Sequence, residues 1–262
     1  MSASLTLAWR DFVTTRSYRA ALVFDLVWGV VDLLLYFFIS KIVNLAGADL
    51  HGAPSYFAFA VAGVLGSLIV GSATAEIASR IREEQLTGTL ELLTAQPIHT
   101  AELALGTAVF PLLYAVVRVA LYFAIAVVAL DLPTAHTDLL GATVLLLLSA
   151  FAFLPLGIAA AAVTVVLKRG SAIVDAGVFA MTFVSGALFP LSVLPGWLRA
   201  IGRVMPTKPA FDGLRHALFG GGGWGGDALI LLTIGCIGAP LSVALLDAGL
   251  RHARRTGTLA QY

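Results

Sequence analysis

Long apolar runs separated by short polar breaks make up most of this chain. A hydrocarbon layer about 30 Å thick takes roughly 20 residues at 1.5 Å rise each. Runs of that size lie near Ala20–Val43, Tyr56–Ala75, Ala101–Leu130, Leu139–Leu167, Ala172–Leu191 and Ala228–Leu250. The apolar residues come in runs rather than in alternation, so the pattern predicts an all-α integral membrane fold with six transmembrane helices. The third and fourth runs are long enough to tilt or to extend past the lipid. The connections leave no room for a separate soluble domain, so residues 1–262 read as a single transmembrane domain.

The polar breaks have patterns of their own. In residues 1–19, Leu5, Ala8, Trp9, Phe12 and Val13 recur at helical spacing while Arg10, Asp11, Arg16 and Arg19 mark a polar side. That is the pattern of a helix lying along a membrane interface, against the plainer reading of a charged flank that sets topology. The second run carries Gly63, Ser67, Gly71 and Ala75, one small residue every four, a row that lets helix backbones approach closely.

The break after it, EIASRIREEQLTGTLELLTAQP from Glu76 to Pro97, is a polar island between two spans. Ile77 and Ile81 can carry the preceding helix onward until Thr87-Gly88-Thr89 interrupts it. Gly88 is then placed to N-cap a short helix, with Glu91 reaching back as half of a capping box and Pro97 ending it. Leu90, Leu92 and Leu93 form a ridge on that helix. It docks on a partner or folds back on the ends of the membrane helices.

Near the other end of the chain, residues 192–226 predict two short helices. Trp197, Leu198, Ile201 and Val204 share one face, with Arg199 and Arg203 on another, over too few residues to cross a bilayer. After Pro206 and Pro209, a second helix places Asp212 and Arg215 at pairing distance. Gly220 to Gly226 form a flexible lead into the last span.

Composition agrees with this reading and narrows it. The chain is 59% hydrophobic and 12% charged, against roughly 45–50% apolar in soluble domains, and its mean hydropathy is +0.95. A net charge of +1 gives no reason to expect a nucleic-acid partner. The single cysteine, Cys236, excludes an intrachain disulfide. The start of the chain has no short apolar stretch followed by a small-residue cleavage site, so the first span is expected to be an uncleaved anchor.

With both termini inside, Arg10, Arg16, Arg19, Arg80, Arg82, Lys168, Arg169, Arg251, Arg254 and Arg255 are cytoplasmic, against Lys41, Arg199, Arg203, Lys208 and Arg215 outside. This predicts a multi-pass protein of the cell membrane with a cytoplasmic polar island. Asp25, Asp32 and Arg118 fall within spans, where ionisable groups are costly and face an interior or water. Asp25 and Asp32 share a helix face, and Arg118 is expected to pair with the deeper Asp32. Pro155 with Gly157, and Pro240 near Gly238, are placed to kink the fourth and sixth spans. No Ser-His-Asp set or metal-ligand spacing stands out, so neither a cofactor nor a metal site is expected on this chain.

Two ordered motifs carry a family resemblance. Gly88-Thr89-Leu90-Glu91, then Leu93 and Pro97-Ile98, resembles the cytoplasmic signature of ABC-2 type transporter permeases. Ser185-Gly186, Phe189-Pro190, Leu194-Pro195-Gly196-Trp197-Leu198, Met205-Pro206 and Asp212-Gly213-Leu214-Arg215 resemble that family's outer loop between its fifth and sixth helices. The chain is similar to permeases of daunorubicin resistance and nodulation lipooligosaccharide export. The pair Glu83-Glu84 stands further from Gly88 than in the usual pattern.

The resemblance implies half of an ATP-driven exporter, working as a homo- or heterodimer of permeases among membrane lipids. No GxxxxGK[ST] loop occurs in the chain, so ATP and Mg²⁺ are expected on a separate ABC ATP-binding subunit. The residues expected to couple to it are Glu83, Glu84, Gly88, Thr89, Leu90, Glu91, Leu93 and Pro97. An outer gate is expected from Pro195, Trp197, Pro206, Asp212 and Arg215. The expected cargo is a hydrophobic or amphipathic drug, antibiotic or lipid-like compound, with polysaccharide or lipid-linked glycan as the alternative. Two other classes stay open: a secondary transporter using Asp25, Asp32 and Arg118 for ion coupling, and a membrane-embedded lipid-modifying enzyme.

Overall fold

A computed structural model describes residues 3–43, 49–89, 100–166, 170–220 and 223–256. Among them are the α-helices α1 (Ala3–Ser17), α2 (Arg19–Ile42), α3 (Tyr56–Leu86), α4 (Thr100–Ala129), α5 (Leu139–Val166), α6 (Gly170–Val184), α7 (Gly196–Val204), α8 (Lys208–Phe219) and α9 (Gly225–Thr256). A 3₁₀ turn at Leu191–Val193 precedes α7, and the described residues contain no strand.

Helices α2, α3, α4, α5 and α9 are long and apolar enough to cross a membrane. Helix α6, inside the fifth expected span, is shorter. Its 15 residues reach only about 22 Å. It stops because Gly186 takes a left-handed conformation, φ 81°, and turns the chain back. The Ala172–Leu191 run therefore divides into a short helix and the start of the hairpin, where a full-length fifth span was expected.

Helix α3 is the axis of the bundle, buried along most of its length and flanked by α2, α4, α5, α6 and α8. Its alanines and glycines make this possible, because small side chains let neighbouring backbones come close. A methyl group on Gly157 of α5 would lie 2.2 Å from the Ala73 carbonyl oxygen of α3. On its other side α5 meets α9, where a methyl on Gly238 would lie 2.9 Å from Pro155. Pro155 and Pro240 sit inside helices that continue through them. The pairing of Pro155 with Gly238 is thus a packing contact between α5 and α9, where the sequence suggested only kinks.

The small-residue row on α3 separates into distinct parts. A methyl on Gly63 would fall 1.7 Å from the Ala187 carbonyl oxygen, whereas Gly71 faces open space. Because a backbone atom cannot step aside, Gly63→Leu is expected to cost about 3 kcal/mol or more, the upper end of overpacking penalties. Gly71→Leu should leave stability close to wild type. Melting temperatures of the two variants in one detergent check this, and equal values would contradict it.

Candidate functional site

Helix directions place α1, the start of α2, the end of α3 and the end of α9 at one end of the bundle. The α7–α8 hairpin lies at the other. We call these the basic end and the hairpin end.

At the basic end, α1 packs beside α4 and reaches the extension of α3. Asp11 is buried and accepts a 2.9 Å hydrogen bond from Arg80 Nη1 of α3 and a 3.0 Å bond from Arg10 Nη2. Arg10 also bonds Glu84, and Glu84 in turn accepts from the Thr89 hydroxyl. Arg80 lies over the Phe110 ring of α4, 5.1 Å from its centroid, and Phe12 stands 6.4 Å from the same ring. Asp11 of α1 therefore faces protein, while Trp9, Phe12 and Val13 stay exposed. That suits a helix whose apolar side rests on lipid. Arg10, Asp11, Thr14, Arg80, Glu84 and Thr89 are among the residues lining a polar cleft of about 420 Å³.

Helix α3 ends at Leu86, with Thr87 N–H bonded to the Glu83 carbonyl and Gly88 left-handed at φ 75°. Gly88 thus terminates α3 at the Thr87-Gly88-Thr89 break the sequence predicts, while the expected capping partner Glu91 lies outside the described residues. Only a residue tolerant of positive φ reverses the chain at this point. Thr89, the next residue, is helical again.

Further into the bundle, Arg118 of α4 joins three helices. Its Nη1 donates to Asp25 of α2 at 3.0 Å and its Nη2 donates to Glu76 of α3 at 2.9 Å. Tyr114 donates to Asp25 at 2.8 Å and Ser72 to Glu76 at 2.9 Å. Arg118 side-chain exposure is 10%, against 43% for Asp25 and 38% for Glu76, so the guanidinium is the buried member. Its Nε finds no acceptor among the described residues. The expected Asp32–Arg118 pair is corrected to Asp25–Arg118, because Asp25 sits a full two turns nearer the basic end, level with Glu76. Glu76, read from sequence as the edge of the polar island, is the second carboxylate of this triad.

At the hairpin end, α8 is buried among α3, α5 and α9, with Phe211, Leu214 and Leu218 in the core. Arg215 is 1% exposed. Its Nη2 donates to the Gly186 and Ala187 carbonyls at 2.8 and 2.7 Å, and its Nη1 to Asp212 at 3.2 Å. It also stacks on Phe59 of α3, 3.5 Å from the ring centroid. Burial pulls the Arg215 pKa down to about 10 against the opposing pull of Asp212, so it stays charged at neutral pH.

Asp212 also bonds Lys208 and lies 3.7 Å from His51 Nε2, while His216 Nδ1 is 3.1 Å from Asp227. Helix α7 is the exposed arm of the hairpin. Pro195 caps its start, Trp197 and Val204 are 69% and 79% exposed, and Arg199 folds back onto the carbonyls of Leu191, Ser192 and Leu194. Pro206 lines a small cleft together with Pro155 and Gly238 where α5 meets α9.

A family model, ABC-2 type transporter, matches residues 3–219. The chain belongs to the ABC-2 type transporter family. No curated protein matches it significantly. The matched region runs from α1 through α8, so it includes both the basic-end cleft and the hairpin of this ABC-2 transporter membrane subunit.

Of the coupling residues expected from sequence, Glu83, Glu84, Gly88 and Thr89 lie together at the basic end, Glu83 exposed and Glu84 engaged with Arg10 and Thr89. Leu90, Glu91, Leu93 and Pro97 lie outside the described residues. Of the gate residues, Asp212 and Arg215 form one network, while Trp197 stands on the exposed face of α7. Sequence reading missed Arg80 and Asp11 as a pair, and Glu76 and Tyr114 as neighbours of Arg118. The Ser72–Glu76 spacing of one helical turn is the signal that would have moved Glu76 into the bundle.

Proposed function

We propose that this ABC-2 transporter is the permease subunit of an ATP-driven exporter in the cell membrane. The basic end and both termini face the cytoplasm, in line with the excess of Arg and Lys there. Its cargo is a hydrophobic or amphipathic drug, antibiotic or lipid-like compound taken from the cytoplasm or inner leaflet. Two permeases, identical or homologous, pair with two ABC ATP-binding subunits, and these hold ATP and Mg²⁺.

The observation that carries this reading is the ion-paired joint between α1 and the extension of α3. Asp11, Arg80, Arg10 and Glu84 tie an interfacial helix to the most buried helix of the bundle, next to the Gly88-Thr89 turn. A push on that turn reaches the membrane core through one continuous helix, α3. The apolar lining of the clefts between helices, such as that of about 520 Å³ between α4 and α5, suits greasy cargo better than a bare ion.

Co-purification with an ATP-binding subunit, followed by ATPase and export assays, tests the proposal. Leu93→Asp and Glu91→Arg are expected to insert normally, yet to uncouple hydrolysis from export by about tenfold or more, the scale for losing a buried interface contact. Normal export in both variants would remove this turn from coupling.

A further inference from the structure

Asp32 is the acidic residue of α2 that the triad leaves unused. Among the described residues no basic side chain pairs with it and no donor bonds it. An ionisable group at membrane depth without a partner is costly, and such groups mark ligand paths. Asp32 lines a pocket of about 260 Å³ between α2, α3 and α6, with Tyr36, Ser67, Phe179, Thr182 and Phe183 among its walls.

The aromatic rings continue beyond the pocket. Phe179 stacks on Phe183 at 6.1 Å, Phe183 meets Phe189 edge-on at 5.9 Å, and Phe189 stacks on Tyr56 at 6.3 Å. Tyr56 is buried, and its hydroxyl has no hydrogen-bond partner among the described residues. This ladder leads from Asp32 along the end of α6 toward the hairpin end.

We infer that the Asp32 pocket binds the positively charged head of a cationic amphiphile, with the carboxylate as counter-ion and Tyr36, Phe179 and Phe183 as the aromatic faces that receive it. A lone carboxylate framed by π-faces selects for positive charge, since both attract a cation and repel an anion. At about 260 Å³ the pocket is smaller than the roughly 300–1,000 Å³ of sites that enclose a whole drug. It therefore seats a head group while the apolar remainder lies along the ladder or in lipid. Ser67 and Thr182 supply hydroxyls for an ammonium N–H.

The inference rests on the reading of the chain as a cargo-binding permease and adds the sign of the cargo's charge. It is tested on the full-length permease in nanodiscs without its ATPase, so that failure of coupling and failure of this site are told apart. The probe is radiolabelled dodecylammonium, one cationic head on an apolar tail, with dodecanoate as an anion of the same tail length, and empty nanodiscs give the lipid background. Wild type is expected to show a saturable component. Asp32→Asn should weaken it by about tenfold or more, and Asp32→Glu by no more than about threefold, as fits loss and retention of a desolvated charge contact. Phe183→Leu, which keeps the apolar volume and removes the π-face, should weaken it by about threefold. Absence of a saturable component, equal affinity in Asp32→Asn and wild type, or equal competition by dodecanoate would each overturn the assignment.

Discussion

Arg215→Ala is expected to unseat the hairpin and abolish export. The guanidinium is fully enclosed and bonds two carbonyls of the Gly186–Ala187 turn, the Asp212 carboxylate and the face of Phe59. Truncation leaves those carbonyls without a donor and opens a gap between α8 and α3, a loss of about 3–5 kcal/mol on the scale of broken buried ion pairs. Arg215→Lys should recover little. An ammonium lacks the planar fork that meets two carbonyls and a carboxylate at once while stacking on a ring. Arg203→Ala on α7 is the control: Arg203 is exposed, and its loss should stay within about 0.5 kcal/mol. Tryptophan-detected melting in detergent reads all three, and an Arg215→Ala midpoint equal to that of the control would refute this role.

Arg215 also marks how far sequence reading reaches. The Asp212–Arg215 spacing is legible because it lies within one helix, where geometry follows from residue separation. The bonds to Gly186 and Ala187 are not legible, since they depend on how the hairpin folds back onto the end of α6. The same division holds elsewhere. Hydropathy locates the starts of the long helices to within three residues, but α3 runs on to Leu86, well past the Ala75 end of its apolar run. Hydropathy overextends α6, because Phe189 and Leu191 are as apolar as a span and only the backbone at Gly186 reveals the turn.

Charge pairing at membrane depth is the least legible feature. Asp25 and Asp32 look equivalent on one helix face, and depth along α2 alone favours Asp32 as the Arg118 partner. What decides for Asp25 is the level at which α4 crosses α2 and α3. That level is set by packing such as Gly29 against the Tyr122 ring, a contact no residue pattern announces. Once Arg118 is committed to Asp25 and Glu76, Asp32 is left free to face a pocket, so the two networks divide the acidic residues of α2 between structure and ligand.

Arg118→Met should therefore be among the most damaging single changes in the bundle. It removes the cation that bridges Asp25 and Glu76 and leaves two carboxylates facing each other across α2 and α3, a loss of about 3–5 kcal/mol. The sign can be checked by neutralising the carboxylates as well. In the triple variant Arg118→Met, Asp25→Asn, Glu76→Gln, no uncompensated charge remains. Ion triads replaced whole by uncharged groups are often neutral to stability, so melting temperature and folded yield should return most of the way to wild type. Combining Arg118→Met with Asp32→Asn in place of the two triad changes should restore nothing, because Asp32 takes no part in the network. If that combination rescues folding as well as the triple variant does, the carboxylates of α2 are interchangeable partners of Arg118, and both the triad and the unpaired state of Asp32 fall together.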